Sequence, residues 1–81
     1  MDELKRLQNE REFEFWIVLP GGGRKYWFDI TGRKGGKARY IKEVDVNEMT
    51  TAFYQEIYNA EAVLIEIHKK FPTDEGHQKI S

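Results

Sequence analysis

The sequence predicts a small, mainly β domain, an antiparallel meander of about five strands that lies flat or curls. Three observations support this prediction. Apolar and polar residues alternate in several runs, glycine-rich segments separate the first of these runs, and the five run centres are spaced about 12 residues apart. A chain of 81 residues supports one core, so residues 1–81 are expected to form a single domain.

The first two runs, residues 12–19 and 24–31, alternate with the period of two that a half-buried strand requires. Residues 38–46 form a third run that is rich in residues favouring strands. Residues 20–23 (Pro-Gly-Gly-Gly) separate the first two runs, because proline cannot extend a strand ladder and glycine loses much entropy in regular structure. These runs and the glycine-rich residues 32–36 predict two consecutive hairpins.

The second half of the chain fits two periods. Apolar residues from Met49 to Phe71 recur every three or four positions, as on one face of a helix. The same stretch is rich in β-branched and aromatic residues, which favour strands, whereas residues 60–62 (Ala-Glu-Ala) favour a helix. The alternative fold is therefore α+β, with a three-stranded antiparallel meander packed by one helix at about residues 47–70.

The N-terminal segment, residues 1–11, alternates in charge and has only Leu4 and Leu7 as strongly apolar residues after Met1, which predicts a short helix or a frayed arm. It lacks the apolar run of a signal peptide, and no run is long enough to span a membrane. The absence of cysteine excludes disulfides and thiol chemistry and fits a reducing cytoplasm. We expect a cytoplasmic protein with no cofactor and no metal site.

Positive charge is concentrated in the middle of the chain. Residues 20–42 hold seven bases against one acid, although the whole chain has a formal net charge of −1. Together with the flexible glycine loops, this cluster predicts a phosphate-facing surface that binds RNA or DNA. The candidate binding residues are Arg24, Lys25, Trp27, Arg33, Lys34, Lys37 and Arg39.

Alternation also predicts the two faces of the sheet. If Phe13, Phe15 and Ile17 face the core with Tyr26, Phe28 and Ile30, then the opposite face carries Trp16, Trp27 and Ile41. Exposed tryptophan is either a stacking platform for unpaired bases or an anchor covered by a partner. The second interpretation predicts an interaction module, as a homodimer or with a small protein partner, anchored by Trp16, Trp27 and Ile41.

Catalytic candidates are few. His68 and His77 lie nine positions apart, without the i,i+4 spacing of a helical zinc site. Histidine titrates near neutrality, so a third hypothesis is a small toxin-like ribonuclease in which one of them acts as general base and Lys69 or Lys70 steadies phosphate charge. A non-enzymatic role is the stronger expectation.

Two segments of the second half share a pattern with known sequences. Residues 55–58 (Gln-Glu-Ile-Tyr) and residues 64–77, which include His-Lys-Lys-Phe-Pro-Thr-Asp-Glu-Gly-His, resemble a family of small uncharacterised prokaryotic proteins. The resemblance covers about a quarter of the chain and implies a hairpin around a turn that commonly holds glycine. Here Ala60-Glu61-Ala62 stands at that turn. The resemblance implies no activity.

Overall fold

A computed structural model of the protein describes residues 3–80, apart from the side chain of Arg33. Its elements are α1 (Glu3–Glu12), β1 (Phe15–Val18), β2 (Arg24–Thr31), β3 (Lys37–Val44), β4 (Thr50–Tyr58), β5 (Leu64–Phe71) and β6 (Gly76–Lys79), with one 3₁₀ turn (Arg33–Gly35) between β2 and β3. The six strands form one open sheet in chain order, and each strand is antiparallel to the next. The predicted mainly β meander is confirmed.

The alternative helix over residues 47–70 is wrong, because β4 and β5 occupy most of that range. The N-terminal segment is a short helix from Glu3, and residues 1 and 2 lie outside the described part of the chain. Strand β6 is absent from the strands predicted from the sequence. Its residues, Gly-His-Gln-Lys, show no apolar alternation.

Three of the hairpin loops close with the same backbone hydrogen bonds. These loops begin at Leu19, Asp45 and Asn59. In each of them the N–H of the first residue donates to the carbonyl of the fifth residue, and the N–H of the fourth residue donates to the carbonyl of the first. In the loops that begin at Asp45 and Asn59, the side-chain oxygen of the first residue also accepts hydrogen bonds from the backbone N–H groups of the third and fifth residues, at 2.8–3.1 Å. An Asx side chain therefore imposes the turn on Ala60-Glu61-Ala62 despite its helical composition.

Helix α1 packs against one side of the sheet, which we call the helix face. Phe13, which follows α1, is buried against the rings of Tyr26 and Phe28 at centroid distances of 5.8 and 5.5 Å. The other side, which carries Trp27 and Ile41, we call the open face. The buried core on the helix face is small, consisting of Phe13, Tyr26 and Val44 with Phe28 packed against it.

Strand β1 differs from its prediction in length and in orientation. The predicted strand covers residues 12–19, but α1 continues to Glu12 and the chain bends at residue 14. In the observed register Phe15 pairs with Trp27 and Trp16 pairs with Tyr26. Because paired residues share a face, Phe15 and Ile17 lie on the open face and Trp16 on the helix face. The prediction that Trp16 and Trp27 share a face is wrong.

Candidate functional site

The seven predicted nucleic-acid-binding residues do not form one patch. Lys25, Trp27, Lys37 and Arg39 share the open face by their strand register. Arg24 lies on the helix face, where its guanidinium donates to the Glu10 carboxylate of α1. Lys34 is exposed at the tip of the β2–β3 turn with a positive φ of 58°, and the Arg33 side chain lies outside the described residues.

Two of the bases on the open face, Lys37 and Arg39, share a carboxylate partner. Arg39 donates to both oxygens of Asp29, at 2.8 and 3.1 Å, and Lys37 Nζ lies 3.7 Å from Asp29 Oδ2. The hydrogen bonds from Arg39 hold the pKa of Asp29 below its ordinary value. These cations are therefore used within the sheet and are not free for phosphate.

The Trp27 ring also contacts neighbouring side chains of the sheet. Its ring stacks on Phe15 with the centroids 5.8 Å apart, and the Arg39 guanidinium lies 5.7 Å from its centroid.

The glycine loop between β1 and β2 has a structural explanation as well, since a Cβ at Gly23 would lie 2.3 Å from the carbonyl oxygen of Val44. Nucleic-acid binding stays a prediction that these contacts do not favour.

Removal of the Asp29 charge tests this prediction. In Asp29→Asn, Arg39 and Lys37 lose their carboxylate, and we expect single-stranded RNA to bind more tightly than to the wild type. With two cations released, the log–log salt slope of that binding should be about 1.4 steeper. Fluorescence anisotropy at two salt concentrations measures both quantities. If the wild type already binds RNA with a steep slope that Asp29→Asn leaves unchanged, the ion pairs do not mask the surface.

The predicted interface anchors lie in different surroundings. Trp16 is 41% exposed on the helix face, and its ring contacts Tyr26. Ile41 is fully buried on the open face, opposite Trp27 on β2 and Tyr54 on β4. A buried side chain cannot touch a partner, so Ile41 is not available as an anchor in this conformation.

The edge strand β1 is the clearest unpartnered feature of the surface. All four of its residues are apolar and exposed: Phe15 at 45%, Trp16 at 41%, Ile17 at 48% and Val18 at 66%. It pairs only with β2 among the described residues. Proteins usually protect such an edge with charges, proline or a covering segment, and within β1 itself there is no charge.

The two histidines meet in the β5–β6 ladder, where they are directly opposite each other. His68 Nδ1 lies 3.2 Å from His77 Nε2, and the outer nitrogens each meet a carboxylate. His68 Nε2 is 2.7 Å from Asp74 Oδ1, and His77 Nδ1 is 3.2 Å from Glu66 Oε1. The Gly76 N–H and then His68 hold the pKa of Asp74 below its ordinary value.

This cluster has little room for the chemistry predicted from its residues. Every ring nitrogen already has a partner, and the direct contact leaves no gap for a phosphate between a general acid and a general base. Among residues 3–80, no three His, Asp or Glu side chains are arranged to hold a metal ion. The ribonuclease hypothesis stays a prediction without geometric support.

A polar network that the sequence did not reveal lies under α1. Glu48 is 5% exposed, and its carboxyl group accepts hydrogen bonds from the Tyr26 hydroxyl at 2.9–3.0 Å and from the Asn9 amide at 3.2 Å. Asn9 in turn accepts Lys42 Nζ at 2.8 Å. Burial first, and then Glu48, raises the pKa of Tyr26 to about 12.

A groove of about 330 Å³ runs beside this network, between α1 and the sheet. Asn9, Lys42 and Glu48 contribute to its lining, but their polar atoms bond to one another. The network therefore fastens the helix to the sheet and presents no group without a partner. Since Asn9 and Glu48 are 39 positions apart, no local motif could have indicated it.

None of the helical segments within residues 3–80 has the length and apolar character needed to cross a lipid bilayer. Comparisons with protein-family models, with curated proteins and with solved structures found no match to this chain.

Proposed function

We propose that this protein is a self-associating interaction module, in which the β1 edge pairs with the β1 edge of a second copy. The observation that carries the proposal is the exposed, uncharged edge strand Phe15–Val18. Pairing would satisfy its free backbone groups and remove apolar side chains from water, which are the two terms that drive strand addition.

The hairpin geometry indicates which backbone groups are free. Leu19 N–H donates to Gly23 C=O at 2.7 Å, so these two residues form a hydrogen-bonded pair. Hydrogen-bonded and non-hydrogen-bonded pairs alternate along an antiparallel ladder. Trp16 and Val18 therefore occupy the non-hydrogen-bonded positions opposite β2, and their N–H and C=O groups point outward.

A two-fold axis can satisfy all of these groups at once. If Trp16 of one copy lies opposite Val18 of the second copy, and the reverse, four backbone hydrogen bonds form. Ile17 then meets Ile17 of the second copy at the axis. In this register Glu14 lies opposite a proline, so no like charges face each other across the junction.

The opposite edge of the sheet explains why association stops at two copies. Strand β6 is short and contains only polar or charged side chains and glycine, as protected edges do. An apolar edge on one side only makes an isologous pairing that closes after one step, whereas two apolar edges would permit a filament. The expected assembly is a dimer with one continuous sheet.

Charge substitutions at the axis test the proposal. In Ile17→Lys two lysines would face each other at the junction, and in Ile17→Glu two glutamates, so each variant alone is expected to be monomeric. A mixture of the two should recover the dimer, because opposite charges then meet. Sedimentation velocity or light scattering at about 100 μM measures the mass, since a small edge interface is expected to be weak.

Val63→Lys is the matched control. Val63 is 50% exposed in the β4–β5 loop, away from β1, so a lysine there adds the same charge without touching the edge. It should leave the dimer unchanged. A monomeric wild type, or an Ile17→Lys variant that stays dimeric, would show that β1 is not the contact.

A further inference from the structure

We propose that the rings of His68 and His77 share one proton between their facing nitrogens, and that this shared proton holds β6 against β5, a contact that we call the clasp. The inference is independent of the β1 edge. It rests on the unbroken line of four groups formed by Asp74, His68, His77 and Glu66, in which each neighbouring pair lies within 3.2 Å.

The number of protons on the two rings follows if all three contacts in this line are hydrogen bonds. Asp74 and Glu66 accept when ionised, so the nitrogens that face them, His68 Nε2 and His77 Nδ1, both carry protons. The inner contact between His68 Nδ1 and His77 Nε2 needs one further proton, which one ring donates to the other. Three protons on four nitrogens give the pair a single positive charge between two carboxylates.

Acid breaks the inner contact. A second positive charge on the pair puts an N–H on both inner nitrogens, so two donors face each other at a distance that requires one donor and one acceptor. Imidazole ordinarily titrates between pH 5 and 8, whereas carboxylates ordinarily titrate near 4, and the pKa of Asp74 is lower still.

Alkali weakens the cluster differently. When the shared proton is lost, two lone pairs face each other unless one ring changes tautomer. A tautomer change at His77 restores the inner bond, but it turns a lone pair towards Glu66 and loses that bond. All three contacts of the cluster are therefore hydrogen bonds only while the histidine pair carries a single positive charge.

Other charged groups near the pair do not replace this proton. On β6, Lys79 lies opposite Glu66, and on β5, Lys70 interacts with the Tyr40 and Phe53 rings and with Asp74. From β4, the neutral Gln55 lies opposite His68. Lysines keep their charge through neutrality, so they supply a constant background and no switch.

Strand β6 is the element that the clasp controls. It has four residues, pairs only with β5 among the described strands, and lies at the end of the sheet. Besides the ladder, β6 is joined to β5 by the contacts of His77 with His68 and Glu66, and the residue after β6 adds the bond from Ile80 N–H to the Ile65 carbonyl. Loss of the clasp is therefore expected to open β6 while β1–β5 stay folded.

Amide hydrogen exchange tests the proposal on the full chain. Protection factors of β6 amides in the wild type should fall at least about tenfold from pH 7 to pH 5, because a charge-assisted bond is lost, while those of β3 stay constant. In His77→Gln the amide can donate to or accept from His68 without a titrating proton, so the acid loss should disappear. A scalar coupling between His68 Nδ1 and His77 Nε2 should be detected at neutral pH.

Gln78→Ala is the control on the opposite face of β6. It removes the bond from Gln78 to the Glu75 carbonyl, so it should lower β6 protection by the same factor at both pH values. The proposal is overturned if wild-type β6 protection is equal at pH 7 and pH 5, or if His77→Gln keeps the acid loss.

Discussion

Glu48→Ala is expected to lower the free energy of unfolding by about 3 kcal/mol or more, because it leaves two buried donors without an acceptor. The Tyr26 hydroxyl and the Asn9 amide both bond to the Glu48 carboxyl group. Tyr26 is fully buried and Asn9 is 3% exposed, so water cannot easily replace the lost acceptor. The substitution should also loosen α1, since Asn9 is its buried contact to the Asp45–Met49 loop.

The chain contains its own control for the backbone at this position. Glu48 is the fourth residue of the loop that begins at Asp45, and Ala62 is the fourth residue of the matching loop that begins at Asn59. Both residues have φ of 63°. Glu48→Ala therefore places alanine in a backbone conformation that alanine already adopts in this protein, and its effect comes from the lost side chain.

Urea unfolding measures the effect, with Ala62→Gly and Glu48→Gly as companions. Glycine relieves the cost of the left-handed conformation, so Ala62→Gly should stabilise the protein by about 1 kcal/mol. Glu48→Gly should be less harmful than Glu48→Ala by a similar amount. A loss below about 1 kcal/mol in Glu48→Ala would mean that the network does not hold the helix to the sheet.

The strands could be predicted because their signals are local. Alternation over residues 24–31 and breaks such as Pro20-Gly21-Gly22-Gly23 act between neighbouring residues, and β2 has the predicted bounds. The loop at residues 59–63 is also local, but its signal is the single Asn59 side chain among helix-forming neighbours. The composition of residues 47–70 gives little weight to that one residue. For this reason composition alone does not exclude a helix over this range.

The face of β1 could not be predicted from alternation. A period-two pattern indicates which residues share a side, but one bend shifts the assignment for every residue beyond it. The bend at Glu14 separates Phe13, which fills the helix-face core, from Phe15, which stacks on Trp27. The chain offers apolar residues on both sides of β1, so hydrophobicity alone does not select a register.

The site geometry depends on pairings across the sheet. The sequence identified His68 and His77 as candidates, but their contact requires β6, a strand that has no apolar pattern and that pairs through register with β5. The basic residues were identified by their density along the chain. The pairing of Lys37 and Arg39 with Asp29 depends on which residues are neighbours across the strands, and a charge count over a segment does not contain that information.

Ile41→Ala is expected to destabilise the protein by about 2–3 kcal/mol, because it opens a cavity beneath side chains that cover Ile41 completely. The cover comes from the open face itself, since α1 packs on the other side of the sheet. Trp27 and Tyr54 lie directly opposite Ile41 on the neighbouring strands. Long side chains can lean into the space, so the loss should lie at the lower end for a buried isoleucine.

Ile30→Ala is the matched control, because Ile30 is 50% exposed at the far end of β2 and loses less buried surface. Its cost should be below about 1 kcal/mol. Both variants are compared by urea unfolding at a protein concentration low enough to keep the chain monomeric. Equal costs would show that the open face is not closed by its own side chains. Ile41 would then be a surface residue in solution, and the prediction of Ile41 as an interface anchor would regain its basis.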